Sequence, residues 1–148
     1  MSHNMAYASL AVMLFTKHFF ADGPLQSKYQ LINKGTFLHR GGLEHAALHA
    51  ALTCCCLILW ATYLAPPPAI SAKHIVAISA SEFIAHYLID WTKCKVEKGS
   101  GWTETIICAD GRRHVLVKNE MFFTALLADQ MFHSFTYIAI FLFIARFS

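Results

Sequence analysis

The stretch His86-Tyr-Leu-Ile-Asp90 closes an apolar run that begins near residue 75, and it constrains the fold more than any other. On a helix, residues four apart lie one above the other on one face. His86 and Asp90 therefore project together from a mostly hydrophobic helix, where neither is tolerated without a partner. The same spacing returns as His18…Asp22, His45…His49 and Asp129…His133. Any fold of this chain must bring those pairs to something that satisfies them.

Composition decides what kind of fold that is. The chain is 56% hydrophobic and 14% charged, against roughly 45–50% and 25% in a soluble domain. Four apolar runs, at residues 5–21, 43–64, 72–91 and 120–145, approach or exceed the roughly 20 residues a membrane-spanning helix needs. Polar loops at 22–42 and 92–119 separate the first from the second and the third from the fourth. The expected fold class is all-α: a single integral membrane domain over residues 1–148, built as a four-helix transmembrane bundle. Gly23-Pro24 breaks the first helix, and Pro66-Pro67-Pro68 ends the second. The first loop has room for a short interfacial helix over residues 25–32. In the second loop, Asp110-Gly111 separates two β-rich runs, which predicts a small cytoplasmic β-hairpin.

Other classes fall away. Residues 1–6 carry no Lys or Arg and no cleavage motif follows, so the first run reads as a retained membrane segment. The net charge of +3, without a basic helical stripe, argues against a nucleic-acid partner. Five cysteines, three of them consecutive at 54–56, show no Cys-x-x-Cys spacing and no disulfide framework.

The positive-inside rule orients the bundle. Lys17, Lys28, Lys34 and Arg40 flank or occupy the first loop, and Lys93, Lys95, Lys98, Arg112, Arg113 and Lys118 the second, against Lys73 and Arg146 on the other side. Both loops are expected to face the cytoplasm, with both termini outside it. All four pairs then fall at the cytoplasmic end of the bundle. Each half of the chain reads His-x-x-x-Asp, loop, then acid or His-x-x-x-His, a weak internal symmetry.

Imidazole and carboxylate on facing helices are how bundle cores build metal sites. His18, Asp22, His45, His49, His86, Asp90, Asp129 and His133 are the candidate ligands, for one or two divalent ions, with Zn expected and Mn or Fe as alternatives. Eight exceed one tetrahedral site; they suit two ions about 3.5–4 Å apart, or one ion with the remainder orienting its ligands. Gln26 and Gln130 stand beside them in sequence and could assist. Glu82, one turn before His86, is a candidate general base or a buried acid paired with a Lys. Arg40 and Lys93 are candidate oxyanion-stabilising residues. A bound metal lowers the pKa of its water toward ~7 and so makes hydrolysis possible at neutral pH.

The elements His18-Phe-Phe-Ala-Asp22-Gly-Pro-Leu-Gln26, His45-Ala-Ala-Leu-His49, His86-Tyr-Leu-Ile-Asp90-Trp-Thr-Lys93 and Asp129-Gln130-Met-Phe-His133 resemble those of a family of small integral membrane proteins of bacteria and their phages. More distantly, His39-Arg40-Gly41…His45 and His86-Tyr-Leu-Ile-Asp90 are similar to elements of the membrane-bound metal-dependent hydrolases. That resemblance implies a bacterial inner-membrane location and a hydrolase acting on a phosphoester or other ester, lipid included, at the cytoplasmic interface. A non-hydrolytic di-iron oxidase and a metal-binding or structural membrane protein without catalysis are the alternatives.

Overall fold

The computed structural model describes residues 2–65, 70–108 and 110–147. Most of the chain is helical. Helix α1 covers His3–Asp22 and α2, one short piece, Lys28–Asn33. Helix α3 covers Arg40–Leu59 and ends in a π-helical turn at Trp60–Leu64. Helix α4 is Ala72–Gly99, the strands β1 and β2 are Thr103–Ile107 and Arg113–Val117, and α5 is Met121–Phe147. The proline triplet at 66–68, expected to end the second helix, lies outside the described residues.

The four long helices run alternately up and down. Helix α3 packs between α1 and α4, and α5 closes the ring against α4 and α1. One end is an ordinary apolar core, with Leu10, Leu14, Leu57, Ile78, Ile140 and Ile144 buried together. Trp60 is buried there too, and its indole N–H donates to the Ala6 carbonyl at 2.7 Å. The other end of the bundle buries polar groups instead. Outward faces of all four helices are apolar: Val12, Phe15, Ile58, Leu59, Val76, Ile84, Leu127 and Leu142 are all exposed.

Two helices, Arg40–Leu64 and Met121–Arg146, are long and apolar enough to cross a membrane among the described residues. Helices α1 and α4 are long enough but less apolar. The residues responsible include Lys17, His18, Glu82, His86 and Asp90, all buried inside the bundle and none on its outer surface.

Helix α4 ends eight residues beyond the run expected at 72–91. Charge begins at Lys93, yet residues 92–98 contain no Gly or Pro, and Lys93 and Glu97 pair at i,i+4. Hydropathy marked where apolar residues stop; the helix stops only at Gly99. At the other boundary, α3 starts at Arg40 despite Gly41-Gly42, because the His39 ring nitrogen Nδ1 accepts from the Gly41 N–H at 3.1 Å and caps it.

The hairpin forms in antiparallel register, Thr103 facing Val117 and Ile107 facing Arg113. Gly111 at φ +76° supplies the left-handed turn residue. Lys118 pairs with Glu104 across the strands, and the Arg113 guanidinium donates to Asn33 Oδ1 at 3.0 Å, tying the hairpin to α2. All five cysteines are free; Cys54 and Cys56 pack against the core, and Cys55 is exposed.

Candidate metal centre

All four long helices send polar side chains to one layer near one end of the bundle. His18 and Asp22 come from the last turns of α1, His45 and His49 from the first turns of α3. His86 and Asp90 come from α4, and Asp129 and His133 from α5. All are buried except Asp22, which is partly exposed. Three groups have ligand atoms within 4.8 Å of one another: Asp22, His45, His49 and His86; His18, His86 and His133; and Asp90, Asp129 and His133.

The spacing within the first group is informative. Asp22 Oδ1 lies 3.1 Å from His45 Nε2 and 3.0 Å from His49 Nε2. Metal–ligand bonds of about 2.0–2.1 Å in a tetrahedron put neighbouring ligand atoms about 3.3 Å apart. These atoms are already near that separation. Around Asp90 the contacts are similar: 3.3 Å from Oδ2 to His45 Nε2 and 3.5 Å to His86 Nε2. His133 Nε2 is 3.5 Å from Asp129 Oδ1 and 3.8 Å from Asp90 Oδ1. The imidazoles of His49, His86 and His133 stack in a row, with centroids 3.6 and 4.2 Å apart.

Several of these atoms are left wanting. His86 Nε2, His133 Nε2 and Asp129 Oδ1 are buried and make no hydrogen bond, whereas Asp90 Oδ2 has the Lys34 ammonium at 3.1 Å. Leaving buried polar atoms unsatisfied costs about 1–3 kcal/mol each. A cation among them would remove that cost. Buried His and Asp groups in this layer could therefore hold a metal ion.

His18 is situated differently. Its Nε2 is 3.2 Å from Gln130 Oε1 and 3.2 Å from Asp22 Oδ2, and Tyr137 Oη is 2.9 Å from Nδ1. Both ring nitrogens are occupied by side chains, which suits a residue that orients Asp22. Gln26 reaches the His45 ring at 3.0 Å, and Gln130 spans Asp22 and Asp129.

The remaining sequence candidates separate. Glu82 sits one turn deeper than His86 and pairs with buried Lys17, whose ammonium also donates to the His49 carbonyl at 3.4 Å and lies 3.5 Å from His49 Nδ1. Lys93 reaches the edge of the layer, 3.7 Å from Asp129 Oδ2. Arg40 does not reach it: its side chain is 81% exposed and bonds Glu44 at 2.6 Å.

Lys34 was not singled out from sequence, yet it enters the layer. Its Nζ lies 3.1–3.2 Å from the two Asp90 oxygens. Burial alone would lower the Lys34 pKa, but Asp90 and the neighbouring carboxylates raise it above the ordinary lysine value, so the group stays charged. Two glycines let its segment in. A Cβ on Gly35 would stand 2.7 Å from Cys94 Cβ, and one on Gly42 3.2 Å from Lys34 Cα. Composition treats 22–42 as one polar loop; only these close approaches mark residues 33–36 as a plug at the mouth of the bundle. Tyr137 was also missed, because an aromatic in an apolar run carries no polar signal.

The fold and the site together define a class: a small helical bundle with a buried His/Asp layer supplied by every long helix. The chain belongs to a family described as a protein of unknown function, DUF3307, whose pattern matches residues 10–148. No curated protein and no solved structure matches it.

Proposed function

We propose that the chain is a four-span membrane protein that holds one or two divalent metal ions and uses them to hydrolyse a phosphoester at the cytoplasmic interface. The observation that carries this reading is the set of buried His and Asp atoms, several without hydrogen bonds, converging from four helices whose outer faces are apolar. Ionisable residues at membrane depth are costly and face the interior of a bundle. A helix bundle with a polar interior layer and an apolar exterior suits a lipid solvent.

Asp22, His45, His49 and His86 form the first site. Asp90, Asp129 and His133 form the second when two ions are bound. The metal supplies Lewis acidity and a water of lowered pKa. With one ion bound, Asp129 is left as the carboxylate beside Lys93 and takes up the proton of the attacking water. Lys93, at the edge of the layer, holds the negative charge of the phosphoester, while Lys34 stays paired with Asp90 and Arg40 points to the exterior with Glu44. Glu82, neutralised by Lys17, supports the layer from below.

Two experiments test this reading. Purified His86→Ala is expected to lose most bound metal, whereas His74→Ala, at the first turn of α4, retains wild-type content. Elemental analysis of both proteins decides it, and equal loss in the two removes the clustered site. Iron as the bound metal, with no hydrolysis of phosphoesters, would favour the oxidase reading instead. For topology, reporters active only in the cytoplasm are expected to be silent when fused to either terminus. Activity at both ends would reverse the orientation.

A further inference from the structure

Helices α4 and α5 leave two cavities along their shared seam. The larger, about 480 Å³, is lined by Leu88, Ile89, Val96, Trp102 and Phe132, with Lys93 and Asp129 at its inner end. The second, about 300 Å³, lies further along the seam between Ala77 and Phe143. Residues four apart share a helix face. Ser81, Ala85 and Ile89 therefore stack on one stripe of α4, and Ala128, Phe132 and Thr136 on one stripe of α5, so the cavities lie in line. The outer rim is open and apolar, with Leu88 45% and Phe132 51% exposed.

We infer that this seam seats an acyl chain of one anionic phospholipid, with its headgroup phosphate against Lys93 beside the candidate metal layer. The preference for an anionic headgroup rests on the metal reading: Lys93 has Asp129 at 3.7 Å and Glu97 at 3.8 Å, and a divalent ion turns that acidic surround into a net attraction for phosphate. The length fits. One leaflet of the hydrocarbon core is about 15 Å deep. At 1.5 Å per residue, that distance runs about ten residues back from Lys93, to the level of Glu82, inside the Ala77–Ala85 stretch that lines the second cavity. Trp102 closes the end where the chain would leave the hydrocarbon, the level at which tryptophan collects in membrane proteins. Lateral entry between α4 and α5 delivers the headgroup to the Asp129 side of the layer without opening the bundle.

The test is native mass spectrometry of the detergent-purified full chain. It is incubated with dioleoyl phosphatidylglycerol or dioleoyl phosphatidylcholine, and metal content is measured on the same samples. Wild type is expected to retain one phosphatidylglycerol, with a preference over phosphatidylcholine of about tenfold, as a single charge-assisted contact gives. Lys93→Gln should abolish the preference, and Lys93→Arg should keep it. Ala128→Trp, which fills the larger cavity, should expel both lipids, and Ala125→Trp provides a second filling variant if the first melts early. Metal-loaded wild type that retains both lipids equally, or neither, overturns the seam inference and leaves the metal site standing. So does undiminished retention in a folded cavity-filling variant. Metal-free wild type that still selects phosphatidylglycerol, and loses it in Ala128→Trp, supports the seam and overturns the dependence of the headgroup preference on the ion.

Discussion

Lys17→Met is expected to destabilise the bundle by about 3–5 kcal/mol, the cost of leaving one member of a buried ion pair alone. Lys17 and Glu82 are both buried and face each other across α1 and α4, beneath the His/Asp layer. Glu82 Oε2 already lacks a hydrogen bond, and the Tyr137 hydroxyl reaches Oε1 only at 3.5 Å. Among the described residues, no other ion pair reaches the carboxylate. Removing the ammonium also frees the His49 carbonyl and the His49 Nδ1 that it faces. Denaturant titration in detergent measures the loss. Adding Glu82→Gln to the Lys17→Met protein should recover a large part of it, because the uncompensated charge is then gone. A Lys17→Met protein within about 1 kcal/mol of wild type would mean that the pair is solvated, as exposed pairs are.

Chelation of metal-replete protein at neutral pH is expected to lower the melting temperature by roughly 5–10 °C. That figure follows from stabilisation of about 2.7 kcal/mol when metal is at 100 times its dissociation constant, and from a shift of about 2–4 °C per kcal/mol for a chain of this size. Without the ion, Asp22, Asp90 and Asp129 face several imidazoles, with Lys34 paired to Asp90 and Lys93 to Asp129 as the fixed cations. The pH dependence has a definite sign. Ligand imidazoles must be neutral to bind, so protons compete with metal as pH falls through the histidine range near ~6.5. The stabilisation is present above that range and lost below it. The chelator effect should therefore shrink toward pH ~5. Melting curves with and without chelator at the two pH values measure it. An unchanged melting temperature at neutral pH would show that hydrogen bonds and the lysines hold the layer by themselves.

Some of this was legible in the residues and some was not. The i,i+4 pairs are properties of local geometry: a helix at His86–Asp90 must point both side chains the same way, whatever packs against it. The Asp110-Gly111 step, likewise, carries its own turn preference, and the hairpin is there. Helix ends were less visible. Residues 92–99 look like loop by charge, but charge is compatible with helix and incompatible only with an apolar environment. Reading a change of surroundings as a change of backbone placed the end of α4 eight residues early.

Partner choice across the bundle belongs to tertiary structure. Lys34 sits in a polar segment whose composition is that of any exposed loop, and only the close approach of Gly35 to Cys94 and Gly42 to Lys34 carries its ammonium to Asp90. Arg40 looked better placed by sequence, one residue from His39 and near His45. Yet the turn at the start of α3 aims it at Glu44 and the exterior. Lys17 is one residue from His18, but adjacent helix positions point about 100° apart. That rotation sends Lys17 to Glu82 and His18 to Tyr137 and Gln130. The chain by itself determined which residues share a helix face and which helices must hide polar atoms, because those follow from 3.6 residues per turn and the cost of burying charge. Which cation meets which carboxylate, and which nitrogen atoms are left without a proton partner, was decided only when four helices closed around one layer, because pairing depends on approach distances that no local spacing encodes.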